Sequence, residues 1–253
     1  VPESEGYFES EEGQRVQSVE VDITYGSSFE LPVPLSQDGT KAFFGWFGNV
    51  NMQGTLYTDP YGASVNNWNI DGTVALYPGW VEAFTYNLIT DPRNPTAGEG
   101  SAYSVSKGEG INYLTEVTVP AMYNGLPVAM VEGSCFASCS RLVTINLPDS
   151  IYTVYRGDEA EGTGSAFQGC TSLRYINVYD ASSQISGQYE KLFSSYEGLL
   201  IYDNPYGGSE LWYFPTAITG EFTIPDIVTV LPNYIFRSTN VSVINIPATV
   251  TSI

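Results

Sequence analysis

The chain has 253 residues and a formal net charge of −19, with nine Lys and Arg against 28 Asp and Glu. That balance repels phosphate backbones and anionic membranes, which argues against nucleic-acid binding and membrane association. The sequence has no His, which removes Ser-His-Asp and Cys-His nucleophiles and the usual zinc-hydrolase ligands.

Hydrophobic residues make up 43%, enough for a substantial core in one large or two smaller domains. Charged residues are only 15%, and 19 Tyr accompany a surface of Ser, Thr, Asn and Gly, as in a β-rich extracellular protein. No apolar run is long enough to span a bilayer. Val1 reads as the start of a mature or trimmed form, and Thr251-Ser252-Ile253 breaks off inside a repeat.

Residues 1 to 17 lack periodicity and carry Glu3, Glu5, Glu9, Glu11 and Glu12, the pattern of a solvated, flexible lead-in. From residue 18 the pattern changes. Val19, Val21 and Ile23 alternate with polar residues, which predicts a strand. Prolines in SFELPVPL end a second extended piece, and DGTKAFFGWFGN turns into an aromatic strand with Phe43, Phe44, Trp46 and Phe47. The Asp71-Gly72 turn leads into Val74, Leu76 and Trp80.

Two motifs here, Phe44-Gly45-Trp46-Phe47 and Ala75-Leu76-Tyr77-Pro78-Gly79-Trp80, resemble the Listeria–Bacteroides repeat, or internalin B-repeat. Phe47 stands where that family has Tyr, and a proline is inserted in the second motif. The resemblance covers about 18 to 82 and implies a small β-grasp-like module that acts as a spacer or ligand-binding stalk. Trp46 and Trp80 are then core residues, with sugar stacking as the other use of such rings.

Alternating Phe84, Tyr86 and Leu88, then Tyr103 and Val105, flank a Pro- and Gly-rich loop. They predict a hairpin over 83 to 110 that covers the open end of a set of repeats. The fullest copy, GSCFASCSRLVTINLPDSIYTV (133 to 154), returns as GSAFQGCTSLRYINV (164 to 178) and as NYIFRSTNVSVINIPATVTSI (233 to 253). Phe136 matches Phe167 and Phe236; Leu142, Ile145 and Leu147 match Leu173, Ile176 and Val178, then Val241, Ile244 and Ile246. TEVTVP (115 to 120) and EFTIPDIVTVL (221 to 231) keep the strand half alone.

Apolar residues two apart, stopped by proline, give a short strand with one buried face. A single unit cannot bury its ridge, and stacked copies can. Phe, Cys, Leu, Ile and Pro recurring in register resemble the BspA-type leucine-rich repeat, over about 111 to 253. YEGLLIY (196 to 202) and LWYFP (211 to 215) resemble that family's longer strand-pair unit, and NGLP (124 to 127) its turn. The fold class expected is therefore mainly β: a β-grasp-like domain followed by a solenoid with a parallel sheet and short helical turns. The resemblance also implies a bacterial surface protein used in adhesion.

Cys135, Cys139 and Cys170 read as buried thiols, with a Cys139–Cys170 disulfide as the other geometry. YRGDEAEGT (155 to 163) reads as a solvated surface loop between coils; it lacks the order of a calcium loop. Its Arg156-Gly157-Asp158 matches the integrin-recognition tripeptide.

No G-x-S-x-G, Walker A or dinucleotide-binding Gly motif opens a helix. Asp and Glu fall mostly in loops, away from aromatic strand ends, so a glycosidase pair is not indicated. No enzyme activity, cofactor or metal is expected. The residues between the inward pairs instead form an outward column: Thr118, Asn146, Asn177, Thr223 and Asn245. They serve as a polar ladder that solvates the sheet, or, with Arg141, Tyr175 and Tyr179, as a binding face. The expected partner is a host or neighbouring-cell surface or matrix protein, or a glycan, with the protein extracellular. A purely structural stalk and a carbohydrate-binding module are the rival readings.

Overall fold

The computed structural model describes residues 1–10, 12–157, 164–185 and 189–253. The described residues form strands and two 3-10 turns, Pro95–Ala97 and Gly110–Tyr113, and no α-helix. The chain divides into two compact units: Val1–Phe84 with Gly108–Leu114, and Thr85–Lys107 with Thr115–Ile253.

The first unit contains β1 (Gly6–Glu9), β2 (Arg15–Val16), β3 (Leu35–Ser36), β4 (Lys41–Asn49), β5 (Gln53–Leu56) and β6 (Tyr77–Glu82). They make two antiparallel sheets, ordered β2-β1-β3 and β5-β4-β6. The aromatic run in β4 has the residue types that pack best on a pleated, half-buried surface. Asp38 starts that strand by accepting the Thr40 N–H at 2.9 Å and the Thr40 hydroxyl at 2.7 Å. Gly45 sits at φ 154°, and a Cβ there would lie 2.4 Å from the Thr58 carbonyl oxygen. The Gly in the Phe-Gly-Trp motif is thus required by close backbone approach.

Trp46 is buried; it stacks on Phe8 at 6.0 Å between ring centres and donates its indole N–H to the Pro32 carbonyl at 3.0 Å. That contact draws the acidic start into the unit: β1 and β2 lie within residues 1 to 17, where a flexible lead-in was expected, because Phe8 has a core to enter. A β-grasp would lay a helix across the sheet; the first unit's described residues offer only the 3-10 turn Gly110–Tyr113, whose Tyr113 ring meets Phe44 at 6.0 Å.

The strand expected at 18 to 24 does not form, and the one expected to start near Val74 starts at Tyr77. Both edges of β4 are taken by β5 and β6, and both edges of β1 by β2 and β3. The alternation is present in the sequence, but neither central strand has an edge left for it to join, and among the described residues nothing pairs with it.

The second unit holds β7 (Phe84–Ile89), shared at its first residue, β8 (Ala102–Lys107), β9 (Glu116–Thr118), β10 (Met122–Tyr123) and β11 (Leu126–Val131). After these come β12 (Thr144–Pro148), β13 (Thr153–Val154), β14 (Tyr175–Tyr179), β15 (Phe193–Tyr196), β16 (Leu199–Asp203) and β17 (Ser209–Tyr213). The last two are β18 (Thr219–Thr223) and β19 (Asn240–Asn245). Strands of successive repeats pair in parallel, β9-β12-β14 in one sheet and β18-β19 in another; β8-β11-β13, which begins ahead of the repeats, is also parallel. The segment containing YEGLLIY and LWYFP forms the antiparallel β15-β16-β17. β7 and β8 are neighbours in the sheet that also holds β11 and β10.

Register follows the sequence alignment. Ile145 is opposite Val117 on one side and Ile176 on the other, and Leu147 is opposite Val178. Phe136, Leu142, Ile145, Leu147, Phe167, Leu173 and Ile176 are all buried. The last copy differs: Phe236, Val241 and Ile244 are half-buried and Ile246 is 46% exposed. β19 is an edge strand with a neighbour on one side only, so its ridge is covered less.

The segments holding Phe136, Phe167 and Phe236 close as turns rather than helices. The residue two beyond each Phe is left-handed: Ser138 at φ 60°, Gly169 at φ 75° and Ser238 at φ 60°. Glycine is unstrained only in the middle copy. Gly169→Ala should therefore lower stability by about 1–2 kcal/mol, measured by urea unfolding; no loss would mean the turn relaxes freely. None of the three cysteines is in a disulfide and all are buried, and burial pushes the Cys170 thiol up to about 12. The Cys170 thiol lies 2.9 Å from the Phe136 carbonyl oxygen. These are packed, protonated thiols with little nucleophilic character.

Candidate functional site

The parallel sheet β9-β12-β14 brings Thr118, Asn146 and Asn177 side by side, because strict register puts the same repeat position on every strand. Asn177 donates its amide N–H to Asn146 Oδ1 at 3.0 Å. Asn146 donates in turn to Thr118 Oγ1 at 3.2 Å and to Glu116 Oε1 at 2.8 Å. Amide dipoles thus run in one direction across the sheet and end on a carboxylate.

Thr223 and Asn245 are aligned on β18 and β19, and there the arrangement recurs. Asn245 donates to Thr223 Oγ1 at 3.3 Å and to Glu221 Oε1 at 2.7 Å. The five column residues therefore make two ladders in two sheets instead of one continuous row. The antiparallel β15-β16-β17 unit intervenes in the chain, and β14 meets it through the Ile176 N–H to the Gly198 carbonyl at 2.9 Å. Glu116 and Glu221 were missed by sequence reasoning, although Glu-x-Thr at the same repeat position was there to be seen.

The flanking residues divide. Tyr175 is 41% exposed, and its hydroxyl accepts the Arg174 side-chain N–H at 3.0 Å. Arg141 is exposed at the approach to β12. Tyr179 is half-buried and donates its hydroxyl to the Val119 carbonyl at 2.8 Å. Burial pushes that phenol up to about 12, so it stays neutral and serves as an anchor between strands. Asn177, Thr223 and Asn245 are exposed, Thr118 and Asn146 half-buried.

Arg156 of the Arg-Gly-Asp tripeptide is committed elsewhere. Its guanidinium pairs with Glu210 at 2.6 Å and lies 3.8 Å over the Trp212 ring. Asp158 lies outside the described residues, as do residues 159 to 163 of the loop. Among the described residues no group of three His, Cys, Asp or Glu could hold a metal ion. Among the same residues no helix is long and apolar enough to cross a membrane.

The family described as "BspA type Leucine rich repeat region" matches residues 130–201 and 208–253 in six copies. Curated proteins yield no match. Among solved structures, a leucine-rich repeat protein of T. pallidum is 18% identical, covering 61% of this chain and 64% of that one, with a TM-score of 0.34. A leucine-rich cell surface protein of Faecalibacterium prausnitzii is 14% identical over 72% of this chain and 73% of that one, with a TM-score of 0.28. A leucine-rich repeat protein from Bacteroides ovatus is 19% identical over 66% and 40%, with a TM-score of 0.34. The chain thus spans less than two thirds of the T. pallidum protein. Over residues 130–201 and 208–253, then, this chain is similar to leucine-rich repeats of the BspA type.

Proposed function

We propose that the repeats recognise a protein partner through the outward face of β9-β12-β14, and that the molecule works at a bacterial cell surface in adhesion. The observation that carries this is the Asn146–Asn177 ladder, bordered by exposed Tyr175 and Arg174. Tyr offers large contact area at low entropic cost, and Asn offers adaptable hydrogen bonds. The parallel pairs are read as successive coils of a solenoid. Residues 18 to 82 are read as a spacer module of the Listeria–Bacteroides repeat kind, and 83 to 110 as the hairpin covering the first coil. The chemistry offered is binding, not catalysis.

A purely structural stalk is the second reading. It is favoured by the ladder itself, since Asn146 and Asn245 already spend their amide donors on neighbouring strands. Sugar stacking on tryptophan has less support, because Phe8 covers Trp46 and Arg156 covers Trp212.

Replacing Asn146, Asn177 and Asn245 together by Lys separates these readings. Binding of the chain to host cells, neighbouring bacteria or matrix proteins should fall to background while far-UV circular dichroism shows the fold kept, at a melting temperature lowered by loss of the ladder bonds. Retained binding would remove the sheet face as the site. Retained spots on a glycan array would point to carbohydrate instead.

A further inference from the structure

The first unit contains a cleft of about 700 Å³ that the repeat-face reading does not use. Its walls include residues 17 to 23 and 72 to 76, with Trp46 and Trp68 also lining it. The two wall segments leave a common base. There Gly26 donates its N–H to the Trp68 carbonyl and Trp68 donates to the Ser27 carbonyl, each at 2.8 Å. This is an antiparallel pair zipped at one point. Beyond it, among the described residues, no N–H or carbonyl of 18 to 23 or of 69 to 76 makes a backbone hydrogen bond. No residue of 18 to 24 has a positive φ or belongs to a turn or bend, so nothing there turns the chain sharply.

This contradicts what the residues themselves announce. Val19, Val21 and Ile23 have the spacing of a strand with one buried face, yet Val19 is 47% and Val21 43% exposed; Val74 on the opposite wall is 39% exposed. Unpaired backbone beside an apolar period of two is the signature of a strand that lacks its neighbour. The neighbour's charge is also constrained. Glu20 and Asp22 line the cleft, and no Lys or Arg does. A second copy is disfavoured: antiparallel pairing about Val21 would set Glu20 opposite Asp22.

We infer that this fork accepts an added β-strand from another polypeptide, an extended segment in which apolar residues alternate with Lys or Arg. Its backbone pairs with residues 18 to 23, its apolar side chains enter the cleft beside Trp46 and Trp68, and its cations meet Glu20 and Asp22.

The test titrates the whole chain with a seven-residue peptide of alternating Lys and Val, reading Trp46 and Trp68 fluorescence. Saturable binding is expected. N-methylation at alternate peptide amides should weaken it about tenfold or more, since several backbone bonds are lost. Val21→Pro should weaken it similarly, and a Glu20→Lys, Asp22→Lys double variant should shift preference to an alternating Glu and Val peptide. The three substituted residues are solvent-exposed, and thermal melts of the variants check that the fold is kept. Absence of binding, indifference to N-methylation, or equal binding of the acidic peptide by the unaltered chain overturns the inference. Slow hydrogen exchange at amides 18 to 23 in the free chain would do the same, because it would mean the fork closes on itself.

Discussion

Phe136→Ala should cost about 3–5 kcal/mol. Phe136 is fully buried, and its ring lies parallel to that of Phe167 within 4°, centres 5.5 Å apart. Phe167 in turn meets Tyr213 at 4.5 Å, the rings tilted by 42°. Truncating the first ring removes apolar contact and leaves a void between turns that are held by backbone. The Phe136 N–H donates to the Ala166 carbonyl at 2.8 Å and the Ser138 N–H to the Gln168 carbonyl at 2.7 Å, so the turns cannot collapse cheaply. Phe236→Ala is the internal control: that ring is half-buried against Phe214 at 5.4 Å, and the loss should be smaller. Denaturant unfolding followed by far-UV circular dichroism measures both. A larger loss at Phe236 than at Phe136 would contradict the placement of the core.

Asp149→Ala should lose about 1–3 kcal/mol at neutral pH, the cost of leaving buried donors without their acceptor, and the deficit should vanish in acid. The Asp149 carboxylate is buried and accepts the Ala181 N–H at 3.0 Å and the Tyr189 hydroxyl at 2.6 Å, with Lys191 at 2.5 Å. Burial, the largest influence, would raise its pKa; the bonds from Lys191, Tyr189 and Ala181 and the Lys191 charge outweigh it, and the pKa falls below the ordinary 3.8. A group whose folded pKa is depressed stabilises the fold fully above its unfolded value and loses that contribution as pH falls through the folded value. The parent and the variant should therefore differ at pH 7, begin to approach each other near 3.8, and converge only once pH has fallen below the lower folded value. Urea midpoints across that range decide it; a gap that persists in acid would mean the side chain acts by packing, not charge.

The repeats were legible because stacking imposes one residue pattern on every coil. Phe136, Leu142, Ile145 and their counterparts could be aligned by type alone, and that alignment already implied parallel strands, their register and the outward place of Asn146 and Asn177. Absence of His likewise narrowed the chemistry before any geometry was known. What the sequence left open depends on which edges are free and which partners are near in space. Two ladders replace one column because an antiparallel unit occupies the place of a coil. Glu116 becomes part of a ladder because the register sets it within reach of Asn146. Arg156 is withdrawn from its tripeptide by Glu210 and Trp212, far away in sequence. The clearest case is Val19 to Ile23: local pattern specifies a strand, but a strand exists only where a neighbour brings unpaired backbone alongside, and among the described residues none does.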